Sequence, residues 1–177
     1  MKENNKYSIQ YSGLADGKHQ FSFKISKDFL NDYPETEIKD LSFDVDALME
    51  KTSTHLGFEF HIEGSANVQC DRCLDYFDIK LSFDKELYVV FGEETSDLTD
   101  IDDRMVLSRK EDKLDLSKHF YDYINLQIPL QNIHPDNEKG ESSCNNEMLE
   151  EIEKHMGEES SSEEVDPRWD KLKNLYN

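Results

Sequence analysis

The sequence predicts an α+β fold that is mainly antiparallel β, a curled or barrel-like sheet with a few short helices, acidic loops and a flexible C-terminal arm. Three observations predict it. Apolar and polar residues alternate with period two in several runs between residues 18 and 91, with no long helical pattern between them. Helical spacing appears only in short stretches, chiefly 115–127 and the segment around Met148. The chain has 177 residues and only 36% apolar content, yet carries ten Phe and eight Tyr, which bury much area per residue. A core domain over 1–130, an acidic and largely flexible segment with one short helix over 131–165, and a terminal helix over 166–177 follow from this pattern.

Residues 6–12 read as a short strand. In 18–26, His19, Phe21, Phe23 and Ile25 face one way and Gln20, Ser22, Lys24 and Ser26 the other, as in a half-buried strand. Ser26 is placed to cap a short helix through Phe29 and Leu30 that ends before Pro34. Leu41, Phe43 and Val45 mark a strand over 40–46. Leu56, Phe58, Phe60 and Ile62 mark the next, with a bend or bulge expected at Gly64 and Ser65 before Ala66 and Val68 resume the alternation. Phe77, Ile79, Leu81 and Phe83 begin a run that continues to Phe91. A loop follows Gly92, then a short strand over Met105 to Leu107. Leu116, Phe120, Tyr123 and Ile124 take helical spacing, limited by Pro129. Met148, Leu149, Ile152 and Met156 form a second, shorter stripe. Asp166 and Pro167 suit the N-cap and first position of a terminal helix with Trp169, Leu172 and Tyr176 on one face.

The formal net charge is −20, and it is unevenly placed. Residues 92–103 hold six carboxylates and no Lys or Arg, and residues 134–166 hold twelve against Lys139 and Lys154. The remainder has 22 acidic and 18 basic residues, so the expected acidity belongs to flexible segments rather than to the folded body. A field of this sign repels phosphates and attracts basic proteins. No apolar run nears the roughly 20 residues that span a bilayer, and Met1 to Gly13 has no apolar stretch of a secretory signal. These features point to the cytoplasm, with no membrane partner.

No Gly-rich phosphate loop, G-x-S-x-G elbow or H-E-x-x-H pair is present. The six His are dispersed, and the sequence makes no positive case for catalysis or for a small-molecule substrate. The sharpest local feature is Cys70-Asp71-Arg72-Cys73, between two alternating segments. Two thiolates at this spacing form half of a tetrahedral zinc site. The plainer reading is a pair of reduced thiols shaping a turn; a third is a redox dithiol, against which stand the strand patterns that flank the pair where a redox pair normally begins a helix. Three cysteines in all are too few for a disulfide framework.

With Cys70-Asp71-Arg72-Cys73-Leu74, the helix leading into Leu126-Gln127-Ile128-Pro129-Leu130, and the terminal Asp166-Pro167-Arg168-Trp169-Asp170-Lys171-Leu172, the chain resembles the YceD family of ribosomal RNA accumulation proteins. The resemblance implies support of large-subunit ribosomal RNA accumulation without a known enzymatic activity, together with metal binding and nucleic-acid binding proposed for some members. It also implies a cysteine-rich stretch after the Leu-Pro element. Here that position holds only His134 and Cys144, which become the completing ligands if Cys70 and Cys73 bind zinc. No other cofactor is expected. Arg72, Leu74, Tyr76, Arg168 and Trp169 are the candidate partner-binding residues. The leading expectation is a non-catalytic ribosome-biogenesis factor that binds a basic ribosomal or assembly protein, its contact with ribosomal RNA being indirect. The alternative is a direct RNA-binding module using the Cys70–Cys73 turn, with or without zinc.

Overall fold

The computed structural model describes residues 5–93, 95, 104–137, 140 and 142–155. The chain divides into two compact units, Met1–His134 and Pro135–Asn177. Among the described residues no helix is long and apolar enough to cross a membrane.

The first unit is α+β. Its strands are β1 (Ser8–Gln10), β2 (Gly17–Ser26), β3 (Asp40–Lys51), β4 (His55–Gln69), β5 (Tyr76–Gly92), β6 (Arg104–Ser108) and β7 (Lys113–Asp115), followed by helix α1 (Ser117–Gln127). Strands β2-β3-β4-β5-β6 form one sheet in that order, and β1 pairs with β7 in a small second sheet. The large sheet is open, with β2 and β6 at its edges, so it does not close into a barrel. Its first three pairings are antiparallel, as the short connections between alternating runs require. The β5–β6 pairing is parallel, from Tyr88↔Arg104 to Gly92↔Ser108. This is the one parallel pairing in a sheet that is otherwise antiparallel, in keeping with the mainly antiparallel expectation; eleven residues separate the two strands in sequence, where a tight hairpin would have made the pairing antiparallel.

The expected bulge at Gly64 is absent. Register runs unbroken from Leu41↔Ala66 through Phe43↔Gly64 to Lys51↔Leu56. The glycine is there for close approach: a Cβ would lie 2.1 Å from the Ser42 carbonyl oxygen and 2.7 Å from the Phe43 Cα. Both are backbone atoms, which cannot swing aside. Gly64→Ala is therefore expected to cost about 1–3 kcal/mol through a shift of the strand pair, measurable as a lower urea midpoint at unchanged slope.

Alternation sends one face of the sheet inward. Val45, Met49, Leu56, Phe58, Phe60 and Ile62 are buried on it. A 3-10 helix over Lys27–Asp32 brings Phe29 and Leu30 onto this core, and α1 adds Phe120 and Ile124. Ser26 stands at the N-cap of the 3-10 helix, as expected, but its side chain makes no capping bond. The start of α1 is held instead by Asp115, whose Oδ1 accepts the Ser117 N–H at 2.9 Å.

The other face is open, and charge is sorted onto it. It displays Asp40, Asp44, Asp46 and Glu50 from β3, Glu59 and Glu63 from β4, and Asp78, Asp84 and Glu86 from β5. Lys18, Lys24, Lys80 and Arg104 are the strand cations that share it. Lys24 pairs with Asp44 at 2.9 Å. His61 Nδ1 lies 2.7 Å from Asp84 Oδ1, and that hydrogen bond raises the imidazole pKa, opposed by some desolvation and aided by Asp84, Glu63 and Asp46. Outside residues 92–103 the first unit carries 21 carboxylates against 15 Lys and Arg, and this face of it is acidic, so the acidity is not confined to the segments outside the body.

In the second unit, an isolated bridge joins Asp136 to Ser142, and α2 (Asn146–His155) follows, its Glu147 N–H capped by Asn145 Oδ1 at 3.0 Å. The expected terminal helix, with Arg168 and Trp169, lies outside the described residues, as do Met156 and most of the acidic stretch 94–103.

Candidate metal centre

The Cys70–Cys73 segment closes the β4–β5 hairpin, between the paired residues Gln69 and Tyr76. The Cys70 N–H donates to the Asp75 carbonyl at 2.9 Å, and the Leu74 N–H donates to the Cys70 carbonyl at 2.9 Å. Gln69 Nε2 adds a bond to the Leu74 carbonyl at 2.9 Å. These bonds wind the chain so tightly that Leu74 adopts φ 62°, a left-handed conformation unusual for a branched side chain. Both cysteines of the turn are buried, and none of the three in the chain forms a disulfide.

A distant segment is tied to this turn. The Asp71 N–H donates to the Asn132 carbonyl at 2.7 Å, and the Asn132 N–H donates to Asp71 Oδ2 at 2.6 Å. This reciprocal pair brings in His134, whose Nδ1 lies 3.4 Å from Cys73 Sγ and whose ring packs on Phe77 with centroids 4.4 Å apart. The ligand atoms of Cys70, Cys73 and His134 all lie within 4.8 Å of one another. Ligands bonded to one tetrahedral zinc at about 2.0–2.3 Å are separated by somewhat less than this, so a small contraction brings the three onto a common ion.

The electrostatics suit a thiolate. Burial pushes the Cys70 thiol up, but the backbone N–H groups of Cys73, Arg72 and His134 and the His134 side chain outweigh it, bringing the pKa down to about 6. Backbone donors aimed at a sulfur from the residues that follow it stabilise the deprotonated ligand a metal requires. No helix N-terminus contributes, since strands flank the turn on both sides. The donor set of two thiolates and one imidazole fits zinc chemically.

Cys144, the remaining cysteine, belongs to the second unit and is buried. Its N–H donates to Ser142 Oγ at 3.3 Å, and Ser143 Oγ bonds the carbonyl of Pro135. The segment 135–144 thus doubles back on its own beginning.

Of the candidate partner-binding residues, Arg72, Leu74 and Tyr76 are exposed on the turn. Lys39 Nζ rests 4.3 Å from the centroid of the Tyr76 ring. Lys80 sits on the open sheet face, in register with Ser65. One feature had no local signal in the sequence, the Asp71–Asn132 clasp, which joins residues 61 positions apart; the acidic open face was missed although its carboxylates alternate along β3.

The fold and this cluster define a class: a small open-sheet protein whose hairpin turn places two buried cysteines, a pair able to hold a metal, beside a histidine. A comparison with protein families then matches residues 58–176 to the model described as large ribosomal RNA subunit accumulation protein YceD. That is well over half of the chain, and the chain belongs to the YceD family. The family acts in accumulation of the large-subunit ribosomal RNA and is not known as an enzyme. No curated protein and no solved structure matches the chain.

Proposed function

We propose that the protein is a non-catalytic, cytoplasmic ribosome-biogenesis factor that supports ribosomal RNA accumulation by holding a basic ribosomal or assembly protein. The observation that carries this reading is charge. A chain of net −20 with carboxylates concentrated in two stretches, and again on the open sheet face, attracts Lys- and Arg-rich polypeptides and disfavours phosphate backbones. Shielding a basic client until it docks prevents wrong contacts with RNA. Ribosomal RNA then accumulates because assembly proceeds.

Within this reading the Cys70, Cys73 and His134 cluster holds a structural zinc ion with Cys144 as the fourth ligand. The sequence supports that assignment: Cys144 is the one further cysteine of the chain, and three Cys with one His is an accepted zinc ligand set. When bound, zinc supplies only cross-linking here: with four protein ligands no position is open for water or substrate.

The test is equilibrium binding of the full-length protein to the protein fraction extracted from large ribosomal subunits, over a series of salt concentrations. Capture of one or a few basic subunit proteins at low salt, lost progressively as salt rises, is the expected result. Recovery of no such protein at low salt contradicts the reading. A second reading, direct RNA binding at the turn, is favoured by exposed Arg72 and by the Lys39–Tyr76 pair, a cation and a stacking surface side by side. It predicts crosslinking of the turn to precursor ribosomal RNA in cells.

A further inference from the structure

The described residues expose five large apolar side chains: Leu74, Tyr76, Tyr88, Leu126 and Leu130. Four of them come from two stretches only, the cysteine turn with the residue that opens β5, and the segment at and beyond the end of α1. The Asp71–Asn132 clasp holds those stretches together. Between them runs a groove of about 710 Å³, built wholly from the first unit. Its apolar wall includes Tyr121, Ile128, Pro129 and Leu130. Tyr121 is itself fixed, stacked on Tyr33 with ring centroids 3.8 Å apart.

The polar side of the groove is one-sided in chemistry. Glu35, Glu37 and Asp71 line it and no Lys or Arg does, although Lys39 rests on the ring of Tyr76, which also lines it. Asn132 also lines it, and its Oδ1 is buried with no hydrogen-bond partner. Leu130 is fully exposed, and Leu74 is held at positive φ with more than half its surface in water. Neither leucine gains burial in return, although a Gly or Asn at position 74 would fit that backbone with less strain.

We propose that this groove is a docking site for an extended, cationic polypeptide segment in which a large apolar side chain is flanked by Lys or Arg. The apolar residue packs against Ile128, Pro129 and Leu130. The cationic residues meet Glu35, Glu37 and Asp71. Charge complementarity selects this occupant: three carboxylates with no lining cation repel a phosphate backbone and leave a purely apolar partner's contacts beside unpaired charge. The inference rests on the reading that the client is a basic protein. It adds where the client is held and which kind of segment is recognised.

The experiment uses full-length protein and an array of overlapping 15-residue peptides covering the large-subunit ribosomal proteins, with the intact proteins of the subunit as a second probe. Two variants are compared with the unmodified chain: Leu130→Ser, at a fully exposed position where folding is not at stake, and Glu35→Lys with Glu37→Lys, likewise exposed. Expected is binding of peptides with an apolar residue flanked by Lys or Arg, weakened about tenfold or more by each variant. Intact basic proteins that bind all three forms equally overturn the groove and leave the client reading standing. Absence of any binding, to peptides or intact proteins, overturns both. Protection of the groove by ribosomal RNA, in place of peptide, overturns the proposal in favour of the RNA reading.

Discussion

Replacing Phe120 by alanine is expected to destabilise the first unit by about 3–5 kcal/mol. Phe120 is fully buried on α1 and is the residue through which that helix meets three other elements. Its ring meets Phe23 of β2 at 5.4 Å, Phe60 of β4 at 5.6 Å, and Tyr7, from the chain just before β1, at 6.2 Å. The Phe60 and Tyr7 contacts are edge-to-face, a geometry that adds to the area term. Truncation leaves a cavity bounded by paired strands, which collapse poorly. The thermal midpoint should fall by roughly 10 °C. Leu126→Ala, on the same helix but exposed, should change stability by no more than about 0.5 kcal/mol. Equal loss from the two substitutions would show that α1 is not docked as described.

Cys70→Ser is expected to remove bound zinc while leaving the sheet folded. In the unsubstituted protein, metal analysis after purification without chelator should find about one zinc per chain, and the variant only a small fraction of that. A serine hydroxyl does not ionise near neutrality and cannot replace a thiolate that backbone donors hold with a pKa of about 6. The sheet core does not depend on the metal, so far-UV circular dichroism should change little. Hydrogen exchange should quicken locally, at the turn amides of Asp71 and Leu74 and at Asn132, whose bonds surround the cluster. Arg72→Ala, in the same turn but exposed, should keep the full zinc content. An unsubstituted protein that is metal-free and takes up no added zinc would leave the cysteines as a reduced pair that only shapes the hairpin.

Much of the sheet was legible because alternation is a local signal. His19 to Ile25, Leu56 to Ile62 and Phe77 to Phe91 fall within β2, β4 and β5; of the two helical stripes, Phe120, Tyr123 and Ile124 fall within α1, with Leu116 at its N-cap, and Met148, Leu149 and Ile152 fall within α2. Strand β3 proved longer than its aromatic stretch, since Ala47 and Met49 continue the buried row with less emphatic side chains. Gly64 misled because glycine marks either a bulge or a close approach, and only the neighbouring strand decides which. Strand β7 and the parallel pairing of β6 rest on partners far away in sequence, β1 and β5, which three- to five-residue segments do not announce. The site divides in the same way. Cys70 and Cys73 are marked by their spacing, and Leu126 to Leu130 by family resemblance. The clasp that gathers them with His134 depends on one aspartate pairing with the backbone of residue 132. The acidic open face was readable in principle. In β3 every polar slot of the alternation from Asp40 to Glu50 is a carboxylate except Ser42 and Leu48, and such a row matters only once its neighbours in register are known.

Affinity purification from growing cells at low salt, with the recovered protein and RNA both quantified before and after nuclease treatment, is the most direct check on the reading as a whole. A basic large-subunit or assembly protein retained in comparable amount after nuclease, and released by salt, is the result expected of a protein that works by holding a cationic client. Ribosomal RNA crosslinked to the turn, with no protein surviving nuclease, would contradict it.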